Sequence, residues 1–253
     1  MNYSIVKYIL SAAMRDKLVL SLVVSSVLVV SLSFFLGSAA IIEQDQFALV
    51  YMAGTLRLLL VFGLCLFVTF FIRRSFDNKD IEYMLSRPLG RKCFIVSYVF
   101  GLILLSLFFA VLAGLIVTMV GGAYFGSAYI LWSYSLFIEL VVMSVAAMFF
   151  AMALSSPVSA VLVTFAFYIL SRLIGELLGI ASDFYDGASF ELMSNAIKAV
   201  STIVPRFDLL TQSSWLLYGS SGDVGYALIT TQGVMFVTIL SGAAMIDLVR
   251  RQF

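Results

Sequence analysis

The chain of 253 residues contains no histidine and only two cysteines. The first absence excludes histidine-based catalytic triads, imidazole metal ligands and histidine proton relays. Cys65 and Cys93 lie within or at the edge of apolar runs without the spacing of a metal site, so we interpret both as small buried hydrophobic residues. No Gly-x-x-x-x-Gly-Lys-Ser/Thr sequence is present, so the chain has no P-loop for ATP. We therefore predict no catalytic residue, no metal site and no cofactor bound by this chain.

Charge is also scarce. Charged residues make up 11% of the chain, against about 25% in ordinary soluble domains. Hydrophobic residues make up 62%, and the mean hydropathy is +1.10. The net charge is only +1, so the composition gives no indication of the basic surface that binds nucleic acid. This composition indicates an integral membrane protein.

Six apolar runs are each long enough to cross a bilayer, which takes about 20 residues of helix. None of the three prolines lies within them, and they lack the ten-residue alternation of barrel strands. We predict a single all-α transmembrane domain over residues 1–253, with six spans at about 18–40, 50–72, 93–120, 128–154, 159–180 and 226–248.

The distribution of Lys and Arg predicts the orientation of these spans. With the N-terminus inside, the inner segments hold eleven basic residues and the outer segments two, Lys198 and Arg206, which places both termini in the cytoplasm. The first run has 23 residues, longer than the 7–15 of a signal peptide, so we expect it to remain as a span. Before it, residues 3–14 predict a short amphipathic helix on the inner membrane surface, with one apolar side formed by Ile5, Tyr8, Ile9 and Ala12.

The inner loop between the second and third spans, residues 73–92, is too long for a tight turn. Asp77 or Asn78 can cap a helix that Pro88 ends, and apolar residues recur on one side of it at Ile81, Met84 and Leu85. Such a helix suits docking to a partner. The alternative is a solvated charged loop without a partner.

The stretch Asp-Ile-Glu-Tyr-Met-Leu-Ser-Arg-Pro-Leu-Gly-Arg at residues 80–91 resembles the cytoplasmic coupling-helix region of type-2 ABC exporter permeases. Members of that family carry an acidic residue, a Leu-Leu-Ser-x-Pro-like run and a basic residue at this place. Residues 203–209 and 215–219 are similar to the outer segment before their last span, and 250–253 to their inner end. The branch that the chain resembles most is the permeases grouped with multicopper-enzyme maturation transporters.

The resemblance implies a permease subunit of an ATP-driven transporter in the bacterial plasma (inner) membrane. Two permease chains would pair, most simply as a homodimer, and each would dock a separate cytoplasmic ATPase that binds the ATP. The residues that would dock the ATPase are Ile81, Glu82, Met84, Leu85, Arg87, Pro88 and Arg91. The alternative is a polytopic protein outside the ABC class, either an assembly or scaffold factor or a secondary carrier. A secondary carrier usually shows internal repeats and broken spans, which we do not find in the sequence.

Three ionisable residues lie within the predicted spans. Charges at such depth are costly and are usually paired or functional. Glu139 and Arg172 come at similar estimated depths, so we expect them to pair between the fourth and fifth spans, and Glu176 lies one turn from Arg172. The cluster would either lock the two spans together or contact the substrate. Arg57 lies near the outer end of the second span, so we expect it to snorkel and assign it no role.

The outer segment 181–225 is too polar to span and too long for a turn. A narrow apolar stripe in it predicts an interfacial helix ended by Pro205, and we expect Trp215 and Tyr218 to anchor the segment at the outer interface. The stripe consists of Phe190, Met193, Ile197, Val200 and Val204.

Overall fold

The computed structural model describes residues 3–39, 43–80, 90–121, 126–183, 204–219 and 224–250. Within these ranges the chain is helical and has no strand. Nine helices are described: α1 (Tyr3–Arg15), α2 (Leu18–Ser38), α3 (Gln44–Asp77), α4 (Arg91–Gly121), α5 (Ser127–Ala153), α6 (Pro157–Asp183), α7 (Phe207–Leu210), α8 (Trp215–Tyr218) and α9 (Tyr226–Arg250).

Six of these helices, α2 to α6 and α9, are long and apolar enough to cross a membrane. The prediction of an all-helical protein with six such helices is confirmed. The largest difference is in α3, which begins at Gln44 and ends at Asp77, whereas the apolar run predicted 50–72. The helix continues through the polar residues at both ends, where Gln and Arg are good helix formers and no proline interrupts the chain.

The central helix is α5, which packs against α3, α4, α6 and α9. Its side chains are buried on every side, including Trp132, Leu136, Met143 and Ala147. A helix that is apolar all round is stable only when neighbours or lipid cover all its faces. By contrast, α2 lies at the periphery, where it packs on α3 and more lightly on α1.

One end of the bundle, which we call the basic end, carries most of the described positive charge. Arg73 Nη1 at the end of α3 donates to the carbonyl of Leu154, just after α5, at 3.0 Å. Arg74 lies 3.7 Å from Asp16, between α1 and α2. The described basic residues of this end are Lys7, Arg15, Lys17, Arg73, Arg74, Lys79, Lys92 and Arg250.

The amphipathic helix α1 forms as predicted, but another helix covers its apolar side. Ile5, Ile9 and Ala12 are buried, and α1 packs along α4, where Ile9 fits against Gly101. Lys17 adopts a left-handed conformation, with φ 56°, at the junction between α1 and α2. This conformation breaks the helix and redirects the chain into α2.

At the opposite end, residues 204–219 fold back against the bundle. This 204–219 segment contains α7 and α8 and buries Phe207, Leu210 and Trp215 against the long helices. The expectation for Trp215 as an interfacial anchor is wrong, because its side chain is only 2% exposed and its Nε1 donates to Gln212 at 3.0 Å. Tyr218, by contrast, is 80% exposed. Of the predicted outer stripe, Val204 is buried, while Phe190, Met193, Ile197 and Val200 lie outside the described residues.

Candidate functional site

An ion pair buried in the bundle joins α3 to α5. Arg57 Nη1 lies 3.2 Å from Glu139 Oε2, and both side chains are completely inaccessible to solvent. Arg57 comes from the middle of α3 and Glu139 from the middle of α5, so the pair lies at the contact between the central helix and a principal neighbour.

Arg57 also holds three neutral acceptors. Its Nη1 donates to the carbonyl of Leu210 at 2.9 Å, and its Nη2 donates to the carbonyl of Trp132 at 3.2 Å and to Ser135 Oγ at 2.9 Å. The guanidinium lies 5.1 Å from the centre of the Trp132 ring, within the range of a cation–π contact. Because Leu210 belongs to α7, this single side chain connects α3, α5 and the 204–219 segment.

Helix α6 closes the other side of the cluster. Tyr168 Oη donates to Glu139 Oε1 at 2.8 Å, and Arg172 Nη1 donates to Tyr168 Oη at 3.1 Å. We call Arg57, Glu139, Tyr168 and Arg172 the buried ion-pair cluster. The expected pairing of Glu139 with Arg172 is therefore replaced by an ion pair with Arg57, and Arg172 reaches the carboxylate through the Tyr168 hydroxyl.

The expectation that Arg57 snorkels is wrong for a physical reason. In the structure α3 starts at Gln44, so Arg57 lies 13 residues, about 20 Å, from that end of the helix. An arginine side chain cannot cover that distance, and the 204–219 segment encloses it. The sequence does contain a signal for this site, namely the arginine itself. An ionisable residue within a spanning helix usually has a partner.

Glu176, the third residue of the predicted charge cluster, lies apart from the ion pair. It is exposed on the surface of α6, whereas Arg172 is half-buried. The predicted cluster is thus divided: Glu139 and Arg172 belong to the buried ion-pair cluster, and Glu176 faces outward.

The cluster functions as a connection between helices. Breaking a buried ion pair by removing one partner costs about 3–5 kcal/mol in soluble proteins, because the remaining charge is left uncompensated. Within the described residues no group of three or more Asp, Glu or Cys is placed to hold a metal ion. The geometry therefore suits a structural lock, or a switch whose partners change when the helices move.

The predicted ATPase-docking residues Ile81, Glu82, Met84, Leu85, Arg87 and Pro88 lie outside the described residues, as does the side chain of Arg91. The chain on both sides of them is described. α3 ends at Asp77, residues 78–80 follow at the basic end, and α4 resumes at the same end. Tyr8 Oη of α1 donates to Asp80 Oδ2 at 3.4 Å.

Comparison with known proteins found no family model and no curated protein that matches this chain.

Proposed function

We propose that the chain is the membrane-spanning permease subunit of an ATP-driven ABC transporter, an exporter that docks a separate ATPase. Six long apolar helices and the lack of a P-loop in the sequence are consistent with a subunit that forms the pathway and leaves ATP hydrolysis to a partner. The resemblance of residues 80–91 to a coupling helix supplies the docking site. In this proposal the basic end faces the cytoplasm of a bacterium and two permease chains pair in its inner membrane.

The observation that carries the proposal is the placement of α3. This helix runs without a break from Gln44 to Asp77, about 51 Å, and ends directly before the docking segment 78–86. It also carries Arg57, which holds Glu139 of α5 and the carbonyl of Leu210. A displacement of the docking segment would be transmitted along one helix to the buried ion-pair cluster, and from there to the opposite end of the bundle.

Contacts at the basic end support the same route. Asp80 at the start of the docking segment accepts a hydrogen bond from Tyr8, and Arg74 lies 3.7 Å from Asp16. Because α1 packs along α4, a movement of the docking segment would be shared by α1, α3 and α4. Rigid-body movement of packed helices against one another is one way in which proteins alternate between two states.

The test is the replacement of Leu85 by Asp. If Leu85 inserts into a groove of the ATPase, Leu85→Asp or Met84→Asp should abolish co-purification of the ATPase and uncouple hydrolysis from transport, because buried apolar anchors dominate affinity. Glu82→Ala should have a smaller effect and weaken the complex mainly at low salt, because added salt screens rim charges. The measurement is a pull-down from detergent with the thermal stability of the permease recorded in parallel.

A matched control is Asn78→Asp, which adds the same charge at an exposed position of the same segment and should leave the complex intact. An intact and fully active complex after Leu85→Asp would contradict the docking assignment. A wild-type chain that captures no P-loop ATPase would instead favour the scaffold factor or the secondary carrier.

A further inference from the structure

The exposed side of α6 differs from the exposed sides of the other spanning helices because it carries charge. Arg172 lies 11 residues before Asp183, the last residue of α6, and is half-buried; Glu176 lies one turn later and is exposed. Helix α2 carries no charged residue, and α9 carries charged residues only near its C-terminal end, at Asp247 and Arg250. Lipid tails can cover those apolar sides, but they offer no counter-ion to α6.

Within the part of the chain that the structure describes, Arg172 and Glu176 have no ion partner. Among the described residues the four ion pairs are Arg57–Glu139, Arg73–Asp77, Arg74–Asp16 and Arg206–Asp208. Arg172 donates one hydrogen bond to Tyr168, which leaves four of the five N–H groups of a guanidinium for other acceptors. A cation and a carboxylate, neither paired with another described residue, therefore lie one turn apart on the same side of α6.

The surface around them has the spacing of a helix-packing seam. Exposed residues recur at alternating intervals of three and four, which is the heptad repeat of two helices that pack side by side with a left-handed crossing. Two of them, Ser159 and Ala166, are small enough to let a second backbone approach closely. We call this line the α6 seam; it consists of Ser159, Leu162, Ala166, Ile169, Leu173 and Glu176.

We propose that the α6 seam packs against the α6 seam of a second copy of this chain, with Arg172 of each copy paired to the Glu176 of the other. The inference rests on the proposed pairing of two permease chains and adds where the two copies meet. A two-fold axis makes the contact self-complementary, because residue i of one copy meets residue j of the other and the reverse holds as well. One cation and one carboxylate, a turn apart, then form two equivalent ion pairs across the axis.

The position of the seam connects the contact between copies to the buried ion-pair cluster. Arg172 would bridge the Tyr168 hydroxyl on its own chain and Glu176 on the second. Tyr168 in turn donates to Glu139, the partner of Arg57. The two clusters of a dimer would therefore be joined through two arginines.

The first experiment measures proximity in native membranes. A background with Cys65→Ala and Cys93→Ala receives single cysteines at Leu162 or Ile169, and disulfide formation is induced by mild oxidation. Control cysteines at Val27 of α2 and Ile239 of α9 match in exposure, at 60% and 56% against 63% and 50% for the seam positions. We expect the yield of disulfide-linked dimer at the two seam positions to be several-fold higher than at either control position. Equal crosslinking at seam and control positions would overturn the proposal.

The second experiment distinguishes a pair between copies from a pair within one chain. Two differently tagged chains, one Arg172→Glu and the other Glu176→Arg, are expressed singly and together, each with the Ile169 cysteine. Each variant alone places like charges across the axis, so its crosslinking should fall several-fold. In the mixed dimer two ion pairs are restored, one in reversed polarity and one in the original polarity, so crosslinking between the two tags should return to the level of the starting chain. Mixed dimers no better than either single variant would contradict the proposal.

Folding of each variant is checked by its elution profile and thermal stability in detergent. Glu176→Arg changes an exposed side chain outside the buried ion-pair cluster, so its loss of crosslinking remains informative even where Arg172→Glu fails to fold. No ATPase is needed in either experiment. A dimer that forms without seam crosslinks would overturn this inference and leave the proposed function standing, whereas a chain that stays monomeric would count against both.

Discussion

At the scale of single residues, Arg57 has the most consequential position in the molecule. It is completely buried and meets one carboxylate, three oxygen acceptors that are uncharged, and an aromatic ring. A guanidinium presents five N–H donors in a fixed plane, so it can hold several helices in one arrangement at once. Lysine could not replace it, because a single ammonium has three donors and no plane to stack on Trp132.

We predict that the stability effects of replacing Arg57 and Glu139 are not additive. Arg57→Met or Glu139→Gln alone should lower the stability of the folded chain by about 3–5 kcal/mol, because each leaves an uncompensated charge in the bundle. The double variant should recover a large part of that loss, because neither residue of the pair is then left as a buried charge without its partner. The measurement is thermal unfolding in detergent, with expression yield as a second readout.

The control for this pair of variants is Arg74→Gln, which removes a charge whose side chain is 67% exposed and lies 3.7 Å from Asp16. Exposed ion pairs contribute little, so this change should be nearly neutral. Additive losses in the Arg57/Glu139 double variant would mean that the two residues do not act as a pair.

At the scale of helices, the contact of α1 with α4 distinguishes a packed helix from one that floats on the membrane surface. Ile9 is fully buried and fits against Gly101 of α4. Truncation of a buried isoleucine to alanine costs about 2–5 kcal/mol in well-packed cores. We therefore expect Ile9→Ala to release α1 from the bundle.

The release can be read from a cysteine placed at Ala12, which is buried on the same side of α1. Its labelling rate by a water-soluble maleimide should rise in Ile9→Ala chains. The matched change Ser11→Ala lies on the exposed side of α1 and should leave the rate unchanged. A cysteine at Ala12 that is labelled rapidly even in the starting chain would show that α1 is not docked.

The helices could be predicted from the sequence, whereas the ion-pair partner of Glu139 could not. An apolar run of about 20 residues has few alternatives to a spanning helix, because backbone groups in lipid must satisfy one another. The identity of a partner depends on the rotation of each helix about its axis and on which helices are neighbours, and a single sequence contains neither. Arg57 was missed because α3 extends to Gln44, through polar residues that hydropathy assigns to a loop.

The burial of Trp215 could not be predicted from the sequence either, because it too depends on which parts of the chain are neighbours. Composition places tryptophan at membrane interfaces on average. In this chain the 204–219 segment folds back against α3, α5 and α6, so its aromatic ring becomes part of the core. A segment as short as 204–219 that folds back into the bundle has no hydrophobic periodicity that would reveal this in the sequence.

At the scale of the whole molecule, the helix directions follow from contacts. Tyr134 of α5 hydrogen-bonds Thr230 of α9 at 2.8 Å, and Gly233 of α9 lies against Ile138 of α5, so α5 and α9 run parallel. Both helices therefore end at the basic end of the bundle, together with α3.

The corresponding prediction is topological. Reporter tags at the N-terminus, at the C-terminus and within residues 77–82 should report the cytoplasm, and a tag near Ser220 should report the outside, because positive charge is retained inside. The measurement is a pair of reporters active on opposite sides of the membrane, fused at each position. A C-terminal tag found outside would contradict the six-span arrangement.

The bonds of Arg57 also have a consequence for the order in which the protein is made. The carbonyl of Trp132 comes 75 residues after Arg57 in the chain, and that of Leu210 comes 153 residues after it. At a synthesis rate of about 5–20 residues per second, Arg57 spends roughly 8–30 s in a nascent chain before its last acceptor exists. During that interval α3 must keep an arginine hydrated or held by other groups while the following helices enter the membrane. The buried arrangement of Arg57 is thus completed late in translation, and a ribosome that stops before Leu210 releases a chain in which this arginine lacks its α7 acceptor.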